Sequence, residues 1–507
     1  MLLRGFLLDS ARGLERQSYY RRVIDFAAER GMNAILWHFT DDQGCSLNFE
    51  SVPGIGSPNA FSKAEMVRLI QYAADHGIDL IPELATLGHS RYITRLPAYR
   101  DLNENKALFS GICPVAQRTR KVLKSLIEET AEIFPSQRLH VGLDEVNFGG
   151  HHLTREALLS RTRGEIFADH VNFVRDVVKG CGRQMWMWAD GVLHEPQVAR
   201  LIPRDVVMCD WQYRPQVPPD SMQYLLNEGF DVLLFSALIS HDQTLFPGND
   251  FALPNLRVMR RYETLQGKGR ILGNMTTVWT PVRYIADSLW LGLHLAAAVM
   301  RDGAEVDFQT CISDFAAGFY GIDDSAGWTA ICERLLRLIP RREEWLAVAK
   351  LETQNPPQNS LDASDLSHKA EQWNQITSQI RQYTRQVRNN RREYRAFQLM
   401  TDVVAHSYDV AHQISAPKLL SRDAIEKLKK RGQRLLQRVE AVWDHERHPN
   451  DPAKYAPIVE FFRDDHLILI LRSGLTKLDS FLAPARIARK KKPIRNATAI
   501  STVAAAS

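Results

Sequence analysis

Two adjacent carboxylic acids, Asp144 and Glu145, are the residues of this sequence best suited to acid–base chemistry. They close the apolar run LHVGLDE, and two acids so close together cannot both ionise without cost unless something offsets their repulsion. One of their two pKa values is therefore expected to rise, and a carboxyl group with a raised pKa can act as a general acid near neutral pH. The alternative interpretation is a solvated turn that opens the next loop.

Other polar and aromatic residues follow other apolar runs in the same way. Each alone has a structural explanation, as a helix cap or a core indole, but their joint placement favours one common site. Indoles suit a sugar ring, whose apolar face packs on an aromatic surface while its hydroxyl groups meet charged side chains. The candidates are Asp9, Arg12, His38, Asp41, Asp42, Glu83, His89, Trp188, Asp190, Asp210, Trp211, Tyr213 and Trp279.

Eight short apolar runs are the elements that would position these residues. The runs are almost continuously apolar, as expected when both faces of a parallel sheet are buried, and amphipathic stretches such as 18–31 and 62–77 separate them. Eight alternations predict an α/β fold, a (β/α)8 TIM barrel whose strand-end loops hold the site. The alternative is a doubly wound open sheet, but the Gly-rich phosphate turn of a dinucleotide fold is missing after the first run. The predicted strands are 2–10, 33–39, 79–84, 138–145, 184–191, 206–213, 231–238 and 271–279.

The pattern changes at about residue 325, where helical periodicity takes over. We predict a catalytic barrel over 1–325, a mostly helical C-terminal domain over 326–482, and a basic, disordered tail over 483–507. The apolar stripes of the helices predict packing against the barrel or against a second subunit, so a homodimer is one arrangement they allow. These stripes are Ile376, Ile380, Tyr383 and Val387, and Ile425, Leu428, Leu435 and Val439.

Composition limits the function classes. The chain has 507 residues, of which 45% are hydrophobic and 24% charged, and its net charge of +5 is too small to indicate nucleic-acid binding as the main function. Its six cysteines are far apart and form no CxxC pair, which is typical of reduced thiols and predicts a cytoplasmic location. No run is long enough to span a bilayer. No HExxH motif and no His pair at ligand spacing occur, so we expect neither a metal nor another cofactor.

Four segments resemble the signature segments of the glycoside hydrolase family 20 β-N-acetylhexosaminidases. They occur in that family's order and at its strand positions, and the resemblance covers about residues 1–305. Since the sequence starts directly at the first strand and continues into helices after the barrel, it looks most like the short, cytosolic hexosaminidase D type. The segments are LLDSAR (7–12), NAILWHFTDDQG (33–44), IPELATLGH (81–89) and LHVGLDEV (139–146).

The resemblance implies a retaining exo-glycosidase that removes terminal β-linked N-acetylhexosamine, GlcNAc or GalNAc, from small glycosides or oligosaccharide non-reducing ends. Catalysis would be substrate-assisted, through an oxazolinium intermediate. Glu145 would be the general acid and then the base, and Asp144 would orient the 2-acetamido group and stabilise its positive charge.

The resemblance also implies supporting roles. Asp41 and His89 would form a relay beside the acid, and Arg12 would bind sugar hydroxyl groups. The indoles of Trp188, Trp211 and Trp279 would wall the sugar and the methyl group of its acetamide.

Two departures from the family pattern leave parts of the site open. No tyrosine follows the seventh run, LLFSALIS, so Tyr213 after the sixth run is the proposed substitute for the family's acetamide-binding tyrosine. Trp279 is followed by Thr-Pro where many members have Gly-Glu, which leaves the choice between gluco and galacto sugars open. The alternatives to an enzyme are a carbohydrate-binding pseudoenzyme with the same pocket and, less favoured, an adaptor for nucleic acid or anionic surfaces that uses the basic helices.

Overall fold

Eight parallel strands close into a barrel in the computed structural model. The structure describes residues 2–104, 111–243, 245–351, 363–415, 421–447 and 465–482, so the predicted tail 483–507 lies outside the described residues. Strand β1 pairs with both β2 and β8, which closes the barrel and confirms the predicted (β/α)8 fold. The strands are β1 (Leu3–Asp9), β2 (Ala34–His38), β3 (Asp79–Glu83), β4 (Arg138–His140), β5 (Gln184–Trp188), β6 (Val207–Trp211), β7 (Val232–Ile239) and β8 (Ile271–Val278).

Helices and short turns connect the strands. A two-residue hairpin, Thr40–Asp41 with Gly44–Cys45, follows β2. The α-helices of this part of the chain are Gln17–Glu29, Lys63–Asp75, Arg91–Thr94, Gln117–Ile133, His152–Ala157, Arg163–Gly180, Asp190–His194, Asp220–Glu228, Ala252–Arg261 and Trp290–Asp302. The 3-10 turns are Pro97–Leu102, Pro196–Leu201, Tyr262–Thr264, Pro281–Arg283 and Ala286–Ser288.

The N-termini of two helices differ in how their local sequence stabilises them. Ser62 caps Lys63–Asp75 in a reciprocal arrangement with Glu65, in which each side chain bonds the other residue's backbone N–H. The first helix has no such cap: it begins at Gln17 behind Arg16, which makes no side-chain cap bond. Packing of its apolar face therefore stabilises this helix without help from a cap.

The barrel interior is filled by inward-pointing apolar side chains. Leu7, Leu36, Trp186, Phe235 and Met275 belong to this inner cluster and are fully buried. The outer faces of the same strands pack under the helices, so most strand residues are buried on both sides. This is why the strands read as continuous apolar runs.

Strand β4 differs from its prediction. The run 138–145 was predicted to be extended throughout, but the strand ends at His140. Gly142, Leu143 and Glu145 have φ values of +68°, +77° and +46°, which are incompatible with extended backbone. Asp144 and Glu145 therefore lie in the loop beyond the strand and not on its last residues.

The C-terminal part is helical, as predicted. Its helices are Phe308–Phe315, which continues as a π-turn to Tyr320, Ser325–Leu338, Arg342–Lys350, Ala363–Tyr383, Arg391–Ser415, Arg422–Glu446 and Leu467–Leu482. All eight residues of the two predicted apolar stripes are buried, which places the stripes inside the protein. The boundary at residue 325 stays a prediction. None of the helices within the described ranges is both long and apolar enough to cross a membrane.

Candidate active site

His89 joins the two adjacent acids at the mouth of the barrel. Its Nε2 lies 3.2 Å from Glu145 Oε2 and 3.4 Å from Asp144 Oδ2. Its Nδ1 lies 3.2 Å from Asp41 Oδ2. One imidazole therefore contacts the acid pair on one side and a fully buried aspartate on the other.

The charges around His89 decide its protonation. Burial alone would lower its pKa, but the negative charge of Asp144 and the hydrogen bonds to Asp144 and Asp41 raise the pKa of His89 well above its ordinary value. Burial would in turn raise the pKa of Asp144, but the charge of His89 outweighs it and lowers the Asp144 pKa below its ordinary value. At neutral pH an imidazolium therefore faces an ionised Asp144. Asp144 is not the member of the pair whose pKa rises, because its neighbour is a cation.

Arg12 and Asp41 form the next link. Arg12 Nη2 donates to Asp41 Oδ2 at 2.7 Å and its Nη1 donates to Asp9 Oδ2 at 3.0 Å. Burial alone would raise the pKa of Asp41, yet the Arg12 charge and hydrogen bonds from His38 and His89 hold it well below its ordinary value. Asp41 is therefore an anion that fixes both Arg12 and His89.

Aromatic rings form one wall of the mouth. Trp279 Nε1 donates to the Tyr213 hydroxyl at 3.0 Å, and the rings of Tyr213 and Trp211 lie 5.2 Å apart. The Arg12 guanidinium lies 5.0 Å from the centre of the Trp279 ring. Trp211, Tyr213 and Trp279 are all partly exposed, as a wall for a ligand requires.

Trp188 lies deeper than the other indoles. It is fully buried, and its Nε1 donates to Glu83 Oε1 at 2.8 Å. Its ring centre lies 6.4 Å from that of Trp279, so Trp188 supports the wall from below.

A buried His–Glu–His group lies beneath the site. His38 Nδ1 is 3.0 Å from Glu83 Oε2, and His140 Nδ1 is 3.6 Å from Glu83 Oε1. Burial alone would lower the pKa of His38, but the charge of Glu83 raises it to about 10, whereas burial lowers the pKa of His140 to about 4. At neutral pH, His38 is therefore charged and His140 is neutral, so the group holds one cation and one anion.

The backbone at the site is strained. His89, Leu143 and Glu145 all have positive φ, a conformation that costs a residue other than glycine roughly 1–2 kcal/mol. Gly88 allows the two loops to meet, since a Cβ atom there would lie 2.2 Å from the Asp144 carbonyl oxygen. Such strain persists only where surrounding contacts fix it, and it is typical of functional sites.

The structure brings the nine residues that were given a predicted role into one connected group. The contacts run from Glu145 and Asp144 through His89, Asp41 and Arg12 to Trp279, and from Trp279 to Trp188, Tyr213 and Trp211. Their individual roles stay predictions. Within the described ranges no group of three His, Cys, Asp or Glu side chains has a geometry that could hold a metal ion.

Sequence reasoning gave no role to Asp190, although it noted its place after the fifth run. Asp190 Oδ2 accepts a hydrogen bond of 2.9 Å from the Glu145 backbone N–H. Burial, and next the charge of Asp144, raise the pKa of Asp190 to about 7. The contact joins two loops 45 residues apart, and no spacing pattern could have revealed it.

The sequence of the chain is similar to those of known proteins. Residues 2–247 match the model described as "Glycosyl hydrolase family 20, catalytic domain". The chain is 28% identical to a beta-hexosaminidase of Vibrio furnissii over 330 residues, 54% of this chain and 52% of that protein. The chain thus spans about half the length of that relative. A beta-hexosaminidase subunit beta of Sus scrofa is 30% identical over 157 residues, 29% of this chain and 29% of that protein.

A solved structure supports the fold. The beta-N-acetylhexosaminidase from Bacteroides fragilis NCTC 9343 has a TM-score of 0.50 and 22% identity, over 58% of this chain and 64% of that chain. The family match includes all seven strands from β1 to β7 and the loops that hold Asp144, Glu145, His89 and Asp41. The region of the chain that carries Arg12, Asp41, His89, Asp144 and Glu145 is therefore a glycosyl hydrolase family 20 catalytic domain.

Proposed function

We propose that the protein is a retaining exo-glycosidase that removes terminal β-linked N-acetylhexosamine by substrate-assisted catalysis. One observation carries the proposal. A single imidazole nitrogen, His89 Nε2, contacts both Glu145 and Asp144, at the mouth of the barrel and beside partly exposed indoles. The relatives named beta-hexosaminidase support the reaction class, and the proposal extends it to the whole chain.

Glu145 is the general acid and then the base. Of the two acids it is the more exposed, with 47% of its side chain accessible against 20% for Asp144. It can therefore reach the glycosidic oxygen of a bound sugar and then a water molecule. His89 stays charged between Asp41 and the acid pair, so it orients Glu145 and balances the negative charge of Asp144.

Asp144 acts on the substrate and not as a nucleophile. It is ionised at neutral pH, and a carboxylate there favours the positive charge that develops on the acetamide nitrogen as its carbonyl attacks the anomeric carbon. The carbonyl oxygen needs a donor to hold it in place. The Tyr213 hydroxyl accepts from Trp279, which leaves its own proton to be donated to that oxygen.

The remaining predicted roles belong to the same proposal. Arg12 binds sugar hydroxyl groups from its place between Asp9, Asp41 and Trp279, and Trp211 and Trp279 face the sugar ring with Trp188 below. We place the protein in the short hexosaminidase D-like type and in the cytoplasm, where its six cysteines would stay the free thiols observed.

A glycoside panel with purified protein tests the proposal. We expect release of 4-nitrophenol from the N-acetyl-β-D-glucosaminide or galactosaminide, and almost none from the β-D-glucoside, whose 2-hydroxyl cannot act as the nucleophile. The Glu145→Gln variant is the control for contaminating activity. Binding of N-acetylglucosamine without any hydrolysis would favour the alternative, a carbohydrate-binding pseudoenzyme. Equal turnover of the glucoside would exclude substrate assistance.

A further inference from the structure

Asp190 lies where it can control the geometry of Glu145. It is the first residue of the short helix Asp190–His194, directly after β5, and Glu145 is in the loop after β4. The Glu145 N–H donates to Asp190 Oδ2 at 2.9 Å. The two loops therefore meet through a backbone donor of one and a carboxylate of the other.

The backbone of Glu145 needs such a contact. Its φ of +46° is a conformation that residues other than glycine rarely adopt, and neighbouring Leu143 has φ +77°. Rotation of Glu145 back to a negative φ would change the orientation of its side chain relative to its N–H, so the N–H could not stay on Asp190 while the carboxyl group stays beside His89. The hydrogen bond from that N–H to the Asp190 carboxyl group therefore opposes the relaxation.

We propose that Asp190 is a positioning residue for the general acid: it holds the Glu145 backbone in its left-handed conformation and so keeps the Glu145 carboxyl aimed at the leaving group beside His89. This inference rests on the proposed function, because it assumes that Glu145 is the acid.

The proposal survives proton uptake by Asp190. Its other oxygen, Oδ1, is buried and makes no hydrogen bond within the described structure. A proton can reside there while Oδ2 still accepts from Glu145, so the contact does not depend on the charge. An asparagine, which offers one carbonyl oxygen of similar reach, should therefore replace Asp190 with little loss, and an alanine should not.

The test compares two N-acetyl-β-glucosaminides, one with a good leaving group (2,4-dinitrophenol) and one with a poor leaving group (4-methoxyphenol). A group that acts through the general acid matters most when the leaving oxygen needs its proton. We expect Asp190→Ala to lower kcat on the poor substrate by about 10-fold or more and on the good substrate by about 3-fold or less, with KM nearly unchanged. Asp190→Asn should stay within about 3-fold of the parent on both.

Asp210 provides the matched control. It is also a buried carboxyl near a strand end, with a pKa that burial raises to about 6, but it bonds Ser221 and Gln212 and not the acid pair. Asp210→Ala should change kcat on both substrates by the same factor. Should Asp190→Ala fail to fold, Asp190→Ser, whose hydroxyl is too short to reach the Glu145 N–H, carries the same expectation.

Three results would overturn the inference. The first is an equal loss of kcat on both substrates with Asp190→Ala. The second is a low kcat of Asp190→Asn, similar to that of Asp190→Ala. The third is a change in KM alone with Asp190→Ala. A parent protein inactive on both glycosides would refute the proposed function itself, whereas an active parent with any of these three results refutes only the role of Asp190.

Discussion

Glu15 and Arg447 lie 432 residues apart in the sequence and form a buried ion pair, with Arg447 Nε 2.6 Å from Glu15 Oε1. Arg447 Nη2 also donates to the carbonyl oxygens of Pro281 and Tyr284, and its guanidinium packs over the Trp443 ring. One side chain of the helical region thus joins the loop after β1 to the loop after β8. These are the loops that carry Arg12 and follow Trp279, so the helical region supports the aromatic wall at the mouth of the barrel.

Arg447→Met should destabilise the protein strongly, and more so at high pH. Removal of one partner of a buried ion pair costs about 3–5 kcal/mol. Burial already outweighs the effect of Arg447 and raises the pKa of Glu15 to about 7. For an acid whose folded pKa exceeds its unfolded value, stability falls as pH rises between the two values. Without Arg447 the pKa of Glu15 in the folded protein rises further. The loss of stability with rising pH therefore becomes larger and extends to higher pH.

Urea unfolding at about pH 5.5 and 8.5 measures this difference. The control is Arg472→Met, which breaks the partly exposed pair with Glu440 and should cost about 0–1 kcal/mol at either pH. A loss for Arg447→Met that is no larger than the control, or one that is greater at pH 5.5, would contradict the prediction.

His406 should make the helical region sensitive to acid. Burial, and next the charge of Arg431, lower its pKa to about 3. Between the ordinary pKa of histidine, about 6.5, and this value, the unfolded chain binds a proton that the folded protein does not. Stability is therefore lost as pH falls through this window, by up to roughly 1.4 kcal/mol per pH unit from this one group.

His406→Gln should reduce the slope of the free energy of unfolding against pH between about pH 6.5 and 4.5. The reduction should correspond to the uptake of close to one proton on unfolding. His445→Gln, which replaces an exposed histidine of the helix Arg422–Glu446, is the control for the loss of a histidine as such. The measurement is the free energy of unfolding at several pH values. Equal slopes for the His406 variant and the parent would show that His406 takes up a proton in the folded protein.

The barrel could be predicted from the sequence because its strands are buried on both faces. A parallel strand such as β7 is buried at all eight of its residues, so its apolar run has no interruption and is easy to locate. The shared location of these polar residues was also predictable, because strand ends of one barrel converge and polar residues there share one mouth. This reasoning predicted one common site for Arg12, Asp41, His89 and Glu145, whereas the contact of Asp41 and His89 with the acid was implied by the family resemblance alone.

Other features depend on contacts that no local pattern encodes. The run after His140 is apolar enough for a strand, but close approach to Gly88 and the positive φ of Leu143 and Glu145 turn it into a loop. Asp190 meets Glu145 across 45 residues. Arg447 makes its contacts only when three separate segments of the chain come together in the fold. The sequence around this arginine therefore does not indicate its partners.

Glu145→Gln should separate the two steps of the proposed reaction. Glutamine keeps the size of the side chain but has no acidic proton, and general acid catalysis is worth about 10²–10⁴-fold. Turnover of an N-acetyl-β-glucosaminide with a poor leaving group should fall by that factor, whereas a 2,4-dinitrophenyl glycoside should lose less in its first step. Steady-state kinetics on both substrates measure the ratio. Equal activity of variant and parent on the poor substrate would remove Glu145 from the role.

The identity of the nucleophile is tested by the acetyl group of the substrate. If the acetamide carbonyl attacks the anomeric carbon, each fluorine added to the acetyl methyl group should slow turnover, because fluorine withdraws electrons from that carbonyl. A thiazoline analogue of the intermediate should inhibit well below the substrate concentrations needed for turnover, as expected for a mimic of the high-energy species.

Asp144→Asn should change this sensitivity together with the rate. Asp144 Oδ2 lies 3.4 Å from His89 Nε2, so the asparagine variant loses both a charge next to the acetamide and the ion pair that holds the side chain in place. The acetamide is then positioned less well, and the positive charge on its nitrogen is no longer offset, so the rate should depend differently on fluorination. A parent enzyme that shows no response to fluorination, and that turns over the 2-hydroxy glycoside well, would mean that a carboxylate of the protein attacks directly. In that case Asp144, ionised and 20% accessible at its side chain, would be the first residue to test as the nucleophile.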